Sequence, residues 1–134
     1  MHKPHKPELV YLACPYSHDD DRVRRERFHV ANEAAARLME RGLFIFSPIS
    51  HTHPISEYGL PKGWDFWERF DRPYLEVSKA MVILAVPGWE SSTGVKAERQ
   101  IMEELGRPVF HLFWPIIHED IDRLVEELEG HSRS

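Results

Sequence analysis

"MVILAV", residues 81–86, is an uninterrupted apolar run in a chain of 134 residues. Successive side chains of a strand point to opposite faces, so a run without polar positions indicates a strand buried on both faces. The run "LVYLAC" at residues 9–14 has the same character, whereas "LFIF" at 43–46 and "VFHLFW" at 109–114 are shorter or broken by one polar residue. These runs predict the strands of a parallel sheet.

Helical patterns separate the predicted strands. Apolar side chains recur three or four positions apart between residues 20 and 41, which predicts a helix there. Further helices are predicted over 93–105 and 117–129, with Leu105 and Ile117 on their apolar faces. This alternation of strands and helices indicates an α/β fold with helices on both faces of the sheet.

The chain is expected to form a single domain over residues 1–134, with flexible tails at 1–7 and 130–134. The segment "SPISHTHPISEYGLPKG" at 47–63 is predicted as a long connection between elements. A loop of this length in a compact domain is usually functional.

Composition and charge limit the classes of partner. A net charge of −5 without a lysine-rich block argues against polymeric nucleic acid as a partner. No apolar run approaches the roughly 18 residues that would span a bilayer, so no membrane association is expected. The single cysteine, Cys14, excludes an internal disulfide and fits a cytoplasmic location.

Glu98 occupies an unusual position for a carboxylate. In the helix predicted over 93–105, Val95 and Met102 belong to the apolar stripe, and Glu98 lies three residues after the first and four before the second. Glu98 also begins the helix that follows the 81–86 strand, where parallel sheets bind their ligands. It is either a first-turn charge that complements the helix dipole or a carboxylate aimed into a site.

Asp71 raises the same question in "FWERFDRPYLEV". Trp67, Asp71 and Leu75 are four residues apart, so a continuous helix places the carboxylate on an apolar stripe. Alternatively, Pro73 interrupts the helix and Asp71 only caps its second segment. The sequence is compatible with both interpretations of Asp71.

Two strand–helix junctions contain groups that bind anions. After the first strand come Ser17 and an arginine-rich helix start in which Arg22 is a candidate ligand, although such arginines commonly form a solvated face. After the third strand, Ser92 and Gly94 begin a helix and could hold a phosphate, or Ser92 could simply cap that helix.

The motif "HTHP" places His51 and His53 two residues apart, on one face if the segment is extended. No third ligand stands at a standard spacing, so a metal site is not expected. We expect both histidines to line a pocket instead. Trp67 is available to stack on a planar base or to pack in the core.

Three motifs together resemble the nucleoside 2-deoxyribosyltransferase superfamily. They are "VYLACPYS" at 10–17, "FDRPYLEVSKAMVILAV" at 70–86 and "SSTGVKAE" at 91–98, in matching order and spacing over about residues 8–113. The pattern Ser92–Gly94–Glu98 is the most specific of them. Within that superfamily the chain resembles the 2′-deoxynucleoside 5′-phosphate N-hydrolase branch.

The resemblance implies a three-layer flavodoxin-like or Rossmann-like sandwich with a central parallel sheet of four to five strands, and a homodimer. It also implies that Glu98 is the nucleophile, that Tyr11 orients it, that Asp71 is the acid near the departing base, and that Ser92 holds a 5′-phosphate. Tyr11 and Glu98 are then expected within hydrogen-bonding reach, with Asp71 facing the same cavity.

The expected function is cleavage of the N-glycosidic bond of a nucleoside or nucleotide, with water as acceptor. The preferred substrate is a (deoxy)nucleoside 5′-monophosphate. No metal or organic cofactor is expected. Two alternatives remain open. One is a transferase that exchanges nucleobases, and the other is a nucleotide-binding module without turnover.

Overall fold

A computed structural model describes residues 8–133 of the chain. Within these residues a four-stranded sheet contains β1 (Leu9–Ala13), β2 (Phe44–Phe46), β3 (Ser78–Ala85) and β4 (Val109–Phe113). The strand order is β2-β1-β3-β4, and every neighbouring pair is parallel. The predicted parallel sheet is therefore confirmed at four strands.

Five α-helices surround the sheet in the described residues. They are α1 (Asp21–Glu40), α2 (Pro48–Ser56), α3 (Trp64–Val77), α4 (Thr93–Glu104) and α5 (His118–Arg133), and a short 3-10 turn at Trp89–Ser91 precedes α4. The Asp20 side chain accepts a hydrogen bond from the Arg22 backbone N–H and so caps α1.

Two apolar clusters fill the space between the sheet and its helices. One face of β1 and β3 packs against residues of α1, α2 and α5, including Leu38, Ile49 and Leu124. The other face, which carries Tyr11, packs against α3 and α4, where Leu75 contributes. Successive residues of a strand therefore pack against helices on opposite faces of the sheet. The predicted three-layer α/β sandwich is confirmed.

The structure differs from the sequence-based expectations at several element ends. Residues 48–56 form helix α2 and not a loop, and α5 continues to Arg133, so 130–133 is not a separate tail. Leu105 and Ile117 are exposed at 41% and 50%, because each lies where its helix meets a loop and no facing layer covers it. The expected tail at 1–7 and the final residue lie outside the described residues.

No helix within the described part of the chain is both long and apolar enough to cross a membrane.

Candidate active site

A narrow cavity opens beyond the carboxyl ends of β1 and β3. It measures about 50 Å³, and we call it the inner cavity. Its polar and ionisable walls are Tyr16, Ser17, Thr52, Lys62, Asp71 and Glu98. Its other walls are Cys14, Pro48, Ile49, Gly63, Trp64, Trp67 and Gly94. Adjacent strand ends of a parallel sheet commonly form a ligand crevice at this position.

Glu98 reaches the inner cavity from the buried face of α4. Helix α4 begins at Thr93, and the helical repeat places Glu98 beside Val95 and Met102, so its side chain is turned inward with a residue exposure of 5%. The Tyr11 hydroxyl donates a hydrogen bond to Oε2 of Glu98, although the two residues lie 87 positions apart. The structure therefore joins these two predicted site residues directly.

Burial sets the ionisation of Glu98 and Tyr11. The pKa of Glu98 is raised to about 8, chiefly by desolvation and also by the charge of Asp71, while the hydrogen bond from Tyr11 acts in the opposite direction. Desolvation and the two nearby carboxylates also raise the pKa of Tyr11 well above its usual value. Tyr11 thus keeps its proton and remains a hydrogen-bond donor to Glu98.

Asp71 lines the same cavity from helix α3. The helix is continuous from Trp64 to Val77 with Pro73 inside it, so Asp71 does not cap a second segment. Asp71 shares the buried stripe with Trp67 and Leu75 and is only 6% exposed. Desolvation raises the pKa of Asp71 to about 7. A second buried carboxyl with an elevated pKa therefore faces the cavity that Glu98 enters.

Two tryptophans form the aromatic part of the wall. The Trp67 indole N–H donates a hydrogen bond to the Pro61 carbonyl over 2.8 Å, which holds the ring in place beside the cavity. Trp64 lies against the start of α4, where a β-carbon at Gly94 would be 3.9 Å from its ring. Aromatic faces in such a wall suit a planar ligand.

A wider cleft of about 570 Å³ joins the inner cavity on its outer side. This outer cleft shares Ser17, Gly63, Trp64 and Gly94 with the inner cavity and adds the amino end of α4. Its further polar walls are His18, Arg27, Asp65, Ser91, Ser92 and Thr93. The helix dipole and free backbone N–H groups at such an end favour an anion.

Ser92 and Ser17 both reach the outer cleft and both have internal partners. The Ser92 Oγ accepts a hydrogen bond from the Val95 backbone N–H over 3.2 Å, so Ser92 caps α4. The Ser17 hydroxyl donates to the Lys62 carbonyl over 3.0 Å and ties the loop after β1 to the loop before α3. The capping interpretation of Ser92 therefore holds, and its position in the cleft wall is compatible with a ligand as well.

Arg27, and not Arg22, is the arginine of the outer cleft. The Arg22 side chain is 85% exposed and pairs with Asp20 on the solvent side of α1, so it lines neither space. Arg27 lies further along α1 and donates to the carbonyls of Ser17 over 3.1 Å and Pro87 over 3.5 Å. It thereby bridges the loops that follow β1 and β3.

The two histidines do not line the inner cavity as expected. Because residues 48–56 are helical, side chains two positions apart point in different directions, and Thr52 faces the cavity instead. His53 is buried behind Tyr16, whereas His51 is exposed with its ring 6.0 Å from Phe46. In the described part of the chain, no group of three or more His, Cys, Asp or Glu side chains is placed to hold a metal ion.

Several residues of the cavity wall were not predicted from the sequence. Tyr16 lies in "VYLACPYS" beyond the carboxyl end of a strand, Thr52 lies between the two histidines of "HTHP", and Lys62 lies in the 47–63 connection, but none of the three was predicted as a site residue. Cys14 also borders the cavity, and desolvation raises its pKa to about 12, so the thiol stays protonated and is a poor nucleophile.

Comparisons with known proteins identify a family. A search of the curated proteins finds no match. A scan of family models matches residues 8–113, a stretch that includes all four strands and every residue of the inner cavity. The protein therefore belongs to the family described as Domain of unknown function (DUF1937).

Proposed function

We propose that this protein cleaves the N-glycosidic bond of a (deoxy)nucleoside 5′-monophosphate, with Glu98 as nucleophile and water as acceptor. One observation carries the proposal: a buried glutamate, oriented by the Tyr11 hydroxyl, shares a cavity with a second buried carboxyl, Asp71. Most glycosidases use two carboxyl groups that face the same cavity.

In the first step, Glu98 attacks C1′ of the sugar and the bond from C1′ to the base nitrogen breaks. The base leaves with that electron pair and takes the proton of Asp71. In the second step, water attacks C1′ and gives its proton to the Asp71 carboxylate. The bond from C1′ to Glu98 then breaks, and its electrons restore the glutamate carboxylate.

The reaction needs one proton on the carboxyl pair. The pKa values of about 7 for Asp71 and about 8 for Glu98 lie close together, so the pair holds a single proton in this pH interval. Only the form with the proton on Asp71 and an ionised Glu98 has both a nucleophile and an acid. The hydrogen bond from Tyr11 favours the ionised glutamate, so catalysis proceeds from the form with the proton on Asp71.

The sizes of the two spaces support a nucleotide as the substrate. The inner cavity of about 50 Å³ admits the reacting bond and its immediate neighbours, while the outer cleft of about 570 Å³ has room for the remainder. In this arrangement the amino end of α4, Ser92 and Arg27 hold the 5′-phosphate. Trp64 borders both spaces and offers its ring to the base.

The proposal includes a wider relationship. We place the family within the nucleoside 2-deoxyribosyltransferase superfamily, near the 2′-deoxynucleoside 5′-phosphate N-hydrolases, on the motifs that contain Tyr11, Asp71, Ser92 and Glu98. A homodimer and a cytoplasmic location belong to the same proposal. Sedimentation of the purified protein tests the dimer.

Incubation with a panel of ribo- and deoxyribonucleoside 5′-monophosphates tests the reaction, with released base as the readout. We expect the wild type and the control Glu104→Gln, an exposed glutamate of the same helix, to release base. Glu98→Ala should be inactive while its circular dichroism shows a folded protein.

The same assay separates the alternatives. Incorporation of a labelled free base into nucleotide would show base exchange in place of hydrolysis. Tight nucleotide binding without base release would show a binding module, and undiminished activity of Glu98→Ala would overturn the assigned nucleophile.

A further inference from the structure

Strand β4 lies at one edge of the sheet and has an unpaired row of backbone groups there. The Pro108 carbonyl accepts a hydrogen bond from β3 over 3.0 Å, and the Trp114 N–H donates one to β3 over 3.4 Å, so the even-numbered residues bond to β3. Backbone groups of successive strand residues point to opposite sides of the strand. No described residue pairs with the N–H and C=O groups that point outward, which belong to Val109, His111 and Phe113.

Strand β4 lacks the features that usually protect a sheet edge. Its sequence, "VFHLF", contains no lysine, proline or acidic residue, and its pairing with β3 runs without a bulge. Edge strands that stay unpaired are commonly short, charged or bent away. The opposite edge of the sheet is short, because β2 has only the three residues Phe44–Phe46. Phe113 is 58% exposed, so the edge at β4 also leaves apolar surface uncovered.

Side chains on both faces of β4 border this edge. On the face toward α4, the His111 ring lies 5.2 Å from the Trp89 ring and 6.2 Å from the Phe113 ring, centroid to centroid. On the face toward α5, a hollow of about 300 Å³ follows the strand. Its charged walls come from α5 and have both signs: Asp120, Arg123 and Glu127.

We infer that β4 pairs with β4 of a second copy of this chain, antiparallel about a two-fold axis at His111, and so joins two sheets into one. Such an interface needs a surface that is complementary to itself, and an unpaired strand edge is one. In this register His111 exchanges both backbone hydrogen bonds with its own copy, and Val109 exchanges them with Phe113. The apolar side chains of Val109 and Phe113 then cover each other across the interface.

The charges on α5 fit the same axis. A two-fold axis perpendicular to the sheet leaves both α5 helices on one face and makes them antiparallel. Arg123 of one copy then comes to the level of a carboxylate of the other, from Glu127 or Asp120. The Arg123 side chain is 65% exposed, and its contact with Asp120 of the same helix leaves donors for a second carboxylate. This charge complementarity favours a second copy as the occupant of the edge.

The inference extends the proposed function, because it names the surface of the proposed homodimer. It does not depend on the proposed reaction, since Tyr11, Asp71 and Glu98 come from other elements of the fold.

Charge substitutions at the axis test the inference. Position 111 lies beside its own copy, so like charges there repel. At micromolar concentration we expect the wild type to sediment at twice the chain mass, and His111→Lys and His111→Glu each to sediment as monomers with unchanged circular dichroism. An equimolar mixture of the two variants should recover a dimer, which native mass spectrometry identifies as the mixed species. Phe44→Lys and Phe44→Glu, on the opposite edge of the sheet, are the controls and should remain dimeric.

A cysteine at the axis provides a second test with a positive signal. A hydrogen-bonded antiparallel pair places its Cα atoms about 5.5 Å apart, within the range of a disulfide. Incubation with oxidised glutathione should therefore link two chains of His111→Cys covalently. The wild type, whose Cys14 is buried, and the control Phe44→Cys should not be linked. Electrophoresis without reductant measures the linked fraction.

The outcomes separate this surface from the proposed reaction. A monomeric wild type, a dimer that survives both charge variants, or the absence of a link in His111→Cys overturns the pairing of β4, whether or not the wild type releases base. Monomeric variants whose mixture forms no dimer overturn the two-fold axis at His111. A dimer that is lost in both variants and recovered in their mixture supports the surface, even if the wild type releases no base.

Discussion

Glu98 shows at the scale of one residue how a functional group can oppose stability. Ionising a carboxyl that is 5% exposed is unfavourable, and this explains the raised pKa of about 8. The pKa of Glu98 in the folded protein lies above the ordinary glutamate value of 4.5. The stability that the protonated carboxyl allows is therefore complete below pH 4.5 and is lost as the pH rises through about 8. A protein that needed only stability would place a neutral side chain here.

We predict that Glu98→Gln abolishes base release yet stabilises the folded protein at alkaline pH. At pH 9 the free energy of unfolding should rise by on the order of 2 kcal/mol, because the glutamine never has to ionise inside the protein. At pH 4 the two proteins should be nearly equal. Urea unfolding at both pH values measures the difference, with Glu104→Gln as the control. A variant less stable than the wild type at pH 9 would contradict this account.

The pairing of Tyr11 with Glu98 yields a prediction about pH dependence. The proposed reaction requires the pair of Glu98 and Asp71 to hold one proton, so kcat/KM should follow a bell with its maximum between about pH 7 and 8. Tyr11→Phe removes a hydrogen bond that favours the ionised glutamate.

The alkaline limb of the Tyr11→Phe profile should therefore move to higher pH, because the pKa of Glu98 is the higher of the two, and the maximal rate should fall by about tenfold or more. Initial rates from pH 5 to 10 provide the measurement, and Tyr58→Phe serves as the control. An unchanged alkaline limb would show that Tyr11 does not act on the ionisation of Glu98.

At the scale of elements, the start of α4 has two roles that can be separated. Ser92 caps the helix through its bond to the Val95 N–H, and it also lines the outer cleft. A substitution that removes the hydroxyl affects both roles. An aspartate keeps the capping oxygen and adds a negative charge where the phosphate is proposed to bind.

We predict that Ser92→Ala lowers the free energy of unfolding by about 1 kcal/mol, whereas Ser92→Asp leaves it nearly unchanged. Ser92→Asp should nevertheless raise KM for nucleoside monophosphates by about tenfold or more, through like-charge repulsion, with a much smaller effect on free nucleosides. Thermal unfolding and steady-state kinetics on both substrate classes distinguish these effects. Equal KM increases for both classes would argue against a phosphate at Ser92.

At the scale of the whole molecule, the site is assembled from distant parts of the chain. Tyr11 comes from β1, Asp71 from α3 and Glu98 from α4, so only the closed α/β sandwich brings them together. A ligand that bridges these elements should bind the folded state alone and stabilise it by mass action.

We predict that Glu98→Gln gains about 2.7 kcal/mol of stability when a bound nucleoside monophosphate is present at a hundred times its Kd. The gain should be much smaller for inorganic phosphate at the same concentration, since phosphate occupies only the proposed subsite at the start of α4 and makes none of the contacts of the sugar and the base. Differential scanning calorimetry measures both. A nucleotide that leaves the unfolding transition unmoved would exclude binding at this site.

Particular residues show which parts of the fold could be predicted from the sequence and which could not. The apolar runs were enough to predict the parallel sheet, and the helical repeat placed Glu98 on the apolar stripe of its helix. The repeat alone did not decide between a first-turn charge and a carboxylate aimed into a site. Helix α2 was missed because its nine residues include histidines and two prolines without a clear apolar repeat. Packing of Ile49 and Pro48 against the rest of the protein, and not local preference, stabilises it there.

Periodicity thus determined which faces of the chain are buried, since burial repeats with the geometry of helix and strand. The tertiary structure alone decided which side chains meet. Arg27 reaches the cleft where Arg22 does not, and Tyr16 contacts His53 over a separation of 37 residues. Such pairings depend on the directions in which separate elements pack, and no local pattern of residues encodes those directions.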